Sequence, residues 1–144
     1  MNPVVKRAMA AGNNAAVWVY RRTNGRIGGT AKGLPVLLLT VPGRMTGRLR
    51  TVPVSFFEHD NGYVVAASAG GGKANPQWIH NLGEAKGAHI QIHEHHYDVD
   101  AQITDGDQRD ELWHSVVLTR APFFAKYEEK SGRVIPIALL TPRA

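Results

Sequence analysis

Asn61-Gly62 separates two runs of β-prone side chains, 51–58 and 62–68, and this dipeptide constrains the fold more than any other short segment. A two-residue type I′ turn needs positive φ at both central positions, which Asn and Gly adopt most easily, so the two runs are expected to be antiparallel neighbours. Runs 88–94 and 97–103 alternate in the same way and predict a second hairpin. A strand at 35–41 precedes the first hairpin, and a strand at 133–140 ends the chain. Helices are predicted at 3–20, where Val4, Val5, Ala8, Met9, Ala16, Val17 and Tyr20 recur at roughly helical spacing, and at 77–84, with Asn75 as N-cap and Pro76 opening the first turn. A third helix starts at Asp105 or Asp107 and runs to about residue 120, where Ala121-Pro122 breaks it, and a short turn or helix follows at 123–130. Gly25, Gly28, Gly29 and Gly33 make 23–34 a flexible connector. This order contains hairpins but no alternating βαβ units, so the expected class is mainly β with peripheral helices (α+β), an antiparallel barrel rather than a doubly wound sheet. At 144 residues and 43% hydrophobic content, one domain spanning 1–144 is expected, with 1–22 a loosely attached N-terminal helix.

The charge is uneven. Nine cations precede the first acidic residue, Glu58: Lys6, Arg7, Arg21, Arg22, Arg26, Lys32, Arg44, Arg48 and Arg50. The remainder holds all 12 acidic residues against 8 basic ones. This asymmetry points to an anionic ligand or surface at the N-terminal half. For Lys6, Arg7, Arg21 and Arg22 a solvated face is the plainer reading, with peripheral contact to anionic lipid headgroups through the N-terminal helix as the alternative. A nucleic-acid-binding module ranks lower, because aromatic side chains are not interleaved with the basic stretch. Cysteine is absent, which excludes disulfides, thiolate metal sites and cysteine nucleophiles and suits a reducing cytoplasm. The apolar run 36–41 is too short to span a bilayer, and the N-terminal segment lacks the apolar stretch of a signal peptide, so a soluble cytoplasmic protein is expected.

Two motifs carry the candidate chemistry. Gly43-Arg44-Met45-Thr46-Gly47-Arg48-Leu49-Arg50 is a turn with guanidinium groups and a hydroxyl, suited to holding a phosphate by charge-assisted hydrogen bonds. Ser68-Ala69-Gly70-Gly71-Gly72 leads to a helix start at Asn75-Pro76, where backbone N–H groups and the helix dipole favour an anion. Trp78 and Asn81 lie three residues apart, on one face of that helix, where an indole and an amide can border a planar ligand. His89, His93, His95 and His96 lack the converging geometry of a metal site, with His93 and His95 on one strand face and His96 on the other, so no metal is expected. Asp105, Asp107, Asp110 and Glu111 offset a helix dipole, and His114-Ser115 gives no hydrolytic triad.

The segments Gly43-Arg44-x-Thr46-Gly47-x-x-Arg50-x-x-Pro53, Ala67-Ser68-x-Gly70-Gly71 to Asn75-Pro76-x-Trp78-x-x-Asn81-Leu82, and Tyr127 to Arg133-x-Ile135-Pro136 together resemble the deazaflavin-dependent nitroreductase-like oxidoreductases of the split β-barrel flavin-reductase superfamily. Tyr20-Arg21-Arg22 to Gly28-Gly29-Thr30 is similar as well, so the likeness covers nearly the whole chain from Tyr20 onward. The resemblance implies an antiparallel split barrel and a reductase that uses the reduced deazaflavin coenzyme F420 to pass hydride to small, apolar, electron-poor acceptors such as quinones or conjugated enones. It also implies the site: Arg44, Met45 and Thr46 with Arg50, Thr51, Val52, Pro53, Val54 and Ser55 on the phosphate and deazaflavin side, and Ala66, Ala67, Ser68 and Ala69 with Gln77, Trp78, Ile79, His80 and Asn81 around the ring and ribityl chain. Phe124 would close over the site, and Tyr127 is the candidate proton donor. Where family members often carry Lys, this chain has Met45 and Ala69, with Lys73 nearby as a replacement; where nitroimidazole-activating members show several tyrosines, it has Ala121 and Phe124 and keeps Tyr127. FMN, which also has a phosphate and a tricyclic ring, is the alternative cofactor. A noncatalytic flavin, deazaflavin or haem binder on the same barrel is the alternative function, and the oligomeric state is left open.

Overall fold

A computed structural model describes the backbone of residues 3–143 and the side chains of residues 13–143. Val4, Val5, Ala8, Met9, Lys6 and Arg7, part of the predicted helical stripe and basic face, lie outside the described side chains. The chain runs α1 (Pro3–Thr23), β1 (Thr30–Ala31), β2 (Leu34–Pro42), β3 (Leu49–His59), β4 (Gly62–Ala66), a 3-10 turn (Ala69–Gly71), α2 (Gln77–Ala85), β5 (Gly87–Ile92), β6 (His95–Ile103), α3 (Gly106–Leu112), a π turn (Trp113–Val117), α4 (Leu118–Arg120), α5 (Phe124–Ser131) and β7 (Ile137–Pro142). Strands pair in the order β2-β3-β4-β7-β6-β5, and β5 returns to β2, so six antiparallel strands close a barrel with β1 added beside β2. No described helix is long and apolar enough to cross a membrane.

The near-continuous apolar run of β2 is explained by cover on both faces. Leu37, Leu39 and Val41 point into the barrel with Val54, Phe56, Val65, Ile90, Val99 and Leu140, while Val36 and Leu38 meet Val17 and Tyr20 of α1. Leu37 and Leu39 are fully buried, so truncating either to alanine removes roughly 2–5 kcal/mol. Ile79 and Leu82 of α2 plug one end of the barrel core. On the outer face of β4 and β7, Val64, Ala66 and Ile137 pack with Leu112, Trp113, Val116, Val117, Phe124 and Ile135 as a second core.

Several expectations are corrected here. The segment after α1 is close-packed rather than a flexible connector: a Cβ on Gly29 would stand 2.0 Å from the Gly25 carbonyl oxygen, and Gly29 O accepts from Val36 N–H at 2.9 Å. Tyr20 anchors that crossing, its hydroxyl donating to Val36 O (2.9 Å) and accepting from His93 N–H (2.9 Å), and burial raises its pKa. His93 is not on a strand face with His95 but in the β5–β6 turn, with φ 53°. His89 faces Asp98 (3.0 Å) and His96 (3.0 Å) across the hairpin, and among the described residues no group of His, Asp and Glu is arranged to hold a metal. The last strand begins at Ile137, not 133, because Arg133 and Pro136 serve the neighbouring loop instead of the ladder.

Candidate active site

The turn between β2 and β3 closes on itself. Gly43 N–H donates to Arg48 O (2.8 Å), Gly47 N–H to Gly43 O (2.8 Å), and Arg48 N–H to Thr46 Oγ1 (3.2 Å). Arg44 donates from Nη1 to Asn81 Oδ1 (2.8 Å) and from Nη2 to Gln77 Oε1 (2.9 Å), and its backbone N–H also reaches Asn81 Oδ1 (3.1 Å). This arginine therefore fastens the turn to α2. Arg50, at the far end of the turn, makes no side-chain hydrogen bond among the described residues and faces open space.

The Gly-rich loop after β4 is held from behind. Ala69, Gly70 and Gly71 all have positive φ, and at Gly71 a φ of 87° favours glycine while a Cβ would press on Lys130 Cδ at 3.0 Å, so α5 seats closely against the loop there. Arg133 spans the loop with a planar fork: Nε to Gly72 O (3.0 Å), Nη1 to Asn75 Oδ1 (2.5 Å) and Nη2 to Ser68 O (2.9 Å). Desolvation by this burial lowers its pKa. Asn75 is thereby an acceptor for Arg133 and not the cap of α2, whose N-cap position is Pro76. Arg133→Lys keeps the charge but not the fork. With at least one bond of about 1 kcal/mol or more lost, the Gly71 and Gly72 amides are expected to exchange with solvent roughly tenfold faster; unchanged exchange would contradict the assignment.

Two cavities open between these segments, and Ala69 and Trp78 line both. The larger, about 1140 Å³, runs from Asn13, Asn14, Val17, Trp18 and Arg21 on α1, past Val41, Leu49, Arg50, Thr51 and Val52, to Gly72, Lys73, Ala74, Asn75, Pro76, Gln77 and Asn81. The smaller, about 360 Å³, is walled by Ala31, Lys32, Leu34, Pro53, Val54, Ser55, Ala66, Ser68, Gly70, Phe123, Phe124 and Tyr127. Most of the residues singled out in the sequence meet here; Arg44, Met45, Thr46, Ala67, Ile79 and His80 line neither cavity. Arg44 is spent on Asn81 and Gln77 of α2, Thr46 accepts inside the turn, Met45 is 88% exposed at its tip, Ala67 and Ile79 belong to the barrel core, and His80 is exposed on the outer side of α2. Phe124 is the floor of the smaller cavity rather than its lid. It is buried in an aromatic cluster with Phe57, Trp113, Phe123 and Tyr127.

Three wall residues escaped the sequence reading. Arg21 donates from Nη2 to Thr51 Oγ1 (3.1 Å), so this cation belongs to the cleft and not simply to a solvated face. Trp18, 65% exposed, forms the cleft's outer end. Lys32 Nζ lies 2.5 Å from the Tyr127 hydroxyl, with the Tyr127 and Phe123 ring centroids 5.0 and 5.7 Å away. Trp18 lies off the apolar stripe that carries Val17 and Tyr20, and Arg21 and Lys32 carry no sequence signal beyond charge.

The donor set suits the cofactor named by the motif resemblance. Arg21, Arg50 and Lys73 line the larger cavity with no carboxylate among its described lining residues, matching a phosphate and an acidic chain. Leu34, Pro53, Val54 and Ala66 make apolar walls for a planar ring, with the Ser55 and Ser68 hydroxyls as hydrogen-bonding groups beside them. A closed antiparallel barrel bearing an aromatic pocket joined to a cationic cleft is the frame of a split-barrel redox enzyme. The family model described as F420H(2)-dependent quinone reductase matches residues 13–142. The F420H(2)-dependent quinone reductase Rv1261c of Mycobacterium tuberculosis is 33% identical over 128 residues, covering 87% of this chain and 86% of the relative. The solved F420-H2 dependent reductase FDR-A is 28% identical with a TM-score of 0.65, over 74% of this chain and 93% of that one. The chain belongs to the F420H(2)-dependent quinone reductase family. The motif resemblance to deazaflavin enzymes agrees with this membership, whereas its nitroreductase label is not the one the family carries.

Proposed function

We infer that this protein is an oxidoreductase that binds reduced F420 across both cavities and reduces quinones in the smaller one. The observation that carries the reading is the joining of an apolar, aromatic pocket to a cleft with three cations and no described carboxylate, through the shared wall of Ala69 and Trp78. When bound, the deazaflavin supplies hydride; the protein supplies binding, orientation and a water-poor pocket. Arg50 and Lys73 hold phosphate and carboxylate oxygens, with Arg21 steadied by Thr51 beside them. Arg44 and Arg133 do not touch the ligand; they fix the turn and the Gly-rich loop that frame it. Ser55 and Ser68 orient the polar edge of the ring, Leu34, Pro53 and Val54 exclude water, and Phe123 and Tyr127 shape the mouth through which a flat, electron-poor acceptor enters. Tyr127 O–H is the proton donor to the reduced oxygen.

The test is titration of the protein with F420 and with FMN, followed by absorbance and fluorescence, and then steady-state assays with menadione, a cyclic enone and a nitroimidazole. Tight F420 binding and turnover of menadione and the enone well above the nitroimidazole are expected, since Tyr127 stands without tyrosine neighbours at Ala121 and Phe124. Preference for FMN, or F420 binding without quinone reduction, would overturn the reading. Arg50→Ala should raise the dissociation constant for F420 at least tenfold with the fold intact, because a charge-assisted hydrogen bond to phosphate contributes about 1.5–3 kcal/mol. An unchanged titration would remove Arg50 from the site.

A further inference from the structure

Lys32 occupies a position that its own backbone does not favour. β1 and β2 pair Ala31 with Leu34, leaving Lys32-Gly33 as a two-residue turn with φ of 50° and 78°. Asn or Gly fits the first of these positions far more easily than lysine, so the side chain, not the turn, accounts for a lysine there. Lys32 is exposed, yet its ammonium reaches the Tyr127 hydroxyl, 95 residues away in sequence. An ammonium has donors and no lone pair, so in this contact Tyr127 Oη is the acceptor. The phenolic hydrogen is thereby left unspent. Among the described residues no other partner engages that hydroxyl, and it lines the smaller cavity.

We propose that Lys32 and Tyr127 form an oxyanion-binding corner of the substrate pocket, in which Lys32 acts through Tyr127 as a positioning and proton-resupplying residue. The proposal rests on the quinone-reductase reading above. Reduced F420 is oxidised and the quinone gains two electrons and one hydrogen as hydride, leaving negative charge on an oxygen. The Tyr127 O–H bond breaks as a new O–H bond forms on that oxygen, completing the hydroquinone. A Lys32 N–H proton passes to the tyrosinate, and exposed Lys32 regains it from water. Preorganised positive charge and a donor aimed at a developing oxyanion lower the barrier without stabilising the neutral quinone equally.

The variants are Lys32→Asn, which suits the turn better than lysine and so preserves the hairpin, and Lys32→Arg, which retains a cation. Calorimetric titration of the protein without cofactor compares 2-hydroxy-1,4-naphthoquinone, anionic at neutral pH, with neutral menadione. Wild type is expected to bind the anion at least tenfold more tightly, Lys32→Asn to lose that preference while keeping menadione affinity within about twofold, and Lys32→Arg to keep most of it. With saturating reduced F420, Lys32→Asn should lower kcat for menadione about tenfold with little change in KM for the cofactor. An anion preference that survives in Lys32→Asn, equal binding of both probes by wild type, or an unchanged kcat in Lys32→Asn would each overturn the proposal. Wild type that fails to reduce menadione would overturn the quinone-reductase reading instead, and the anion preference would still decide the role of Lys32.

Discussion

Arg109→Met is expected to destabilise the protein by about 3 kcal/mol, seen as a lower urea midpoint at an unchanged slope. The Arg109 guanidinium is buried, 6% exposed, in the second core. It donates from Nε (3.0 Å) and Nη2 (2.9 Å) to Ile135 O and from Nη2 to Glu128 Oε2 (2.7 Å), and its Cζ lies 4.7 Å from the Trp113 ring centroid. Methionine can fill the space but leaves the Ile135 carbonyl without a donor and Glu128 without its charge partner. Glu128 is 34% exposed and can turn to water, which puts the expected loss at the lower end of the range for a broken buried pair. Asp110, the other carboxylate in reach, is 61% exposed, so Asp110→Asn should change stability by no more than about 0.5 kcal/mol. A loss below about 1 kcal/mol in Arg109→Met would show that Arg109 is not the strut joining α3 to α5 and to the segment that leads into β7.

Tyr127→Phe is expected to lower kcat for menadione about a hundredfold while leaving the F420 dissociation constant nearly unchanged, the pattern of an interaction formed late in the reaction. Tyr127 sits on α5, edge-on to Phe123 and Phe124 (86° and 75° between ring planes), so phenylalanine retains the packing and removes only the hydroxyl. A loss under about threefold would identify solvent as the proton source. Phe124→Ala is not a clean control, because Phe124 is 5% exposed and its truncation costs roughly 3–5 kcal/mol of stability. Phe123, only half-buried at the cavity mouth, is the better comparison: Phe123→Ala should weaken acceptor binding and leave kcat close to wild type.

The barrel was legible because its evidence is local. Asn61-Gly62 and alternation at period two specify hairpins without knowledge of the rest of the chain, but the turn falls one residue earlier than that dipeptide implies: His59 pairs with Gly62 and Phe57 with Val64, leaving Asp60-Asn61 as the two positive-φ positions. The Gly-rich loop and the Trp78–Asn81 spacing were legible for the same reason. Charge assignments fared differently. Arg44 and Arg50 look equivalent in sequence, yet Arg44 is consumed by Asn81 and Gln77, 37 and 33 residues away. Arg133 stands within a recognisable motif, but its service to Ser68 and Gly72 depends on how β7 returns beside β4. The resemblance implied Ala67 and Ile79 as members of the continuous ranges 66–69 and 77–81, although a one-residue step along the backbone turns the side chain into the core.

Trp78 and Ala69 form a party wall between the cleft and the smaller pocket. Occupants of the two spaces therefore share a boundary, and their affinities are thermodynamically linked: whatever factor a bound cofactor applies to the affinity for an acceptor, the acceptor must return to the cofactor. Where a bound cofactor strengthens acceptor binding at this wall, the acceptor strengthens cofactor binding by the same factor, so tight acceptor binding and easy cofactor exchange then draw on one surface.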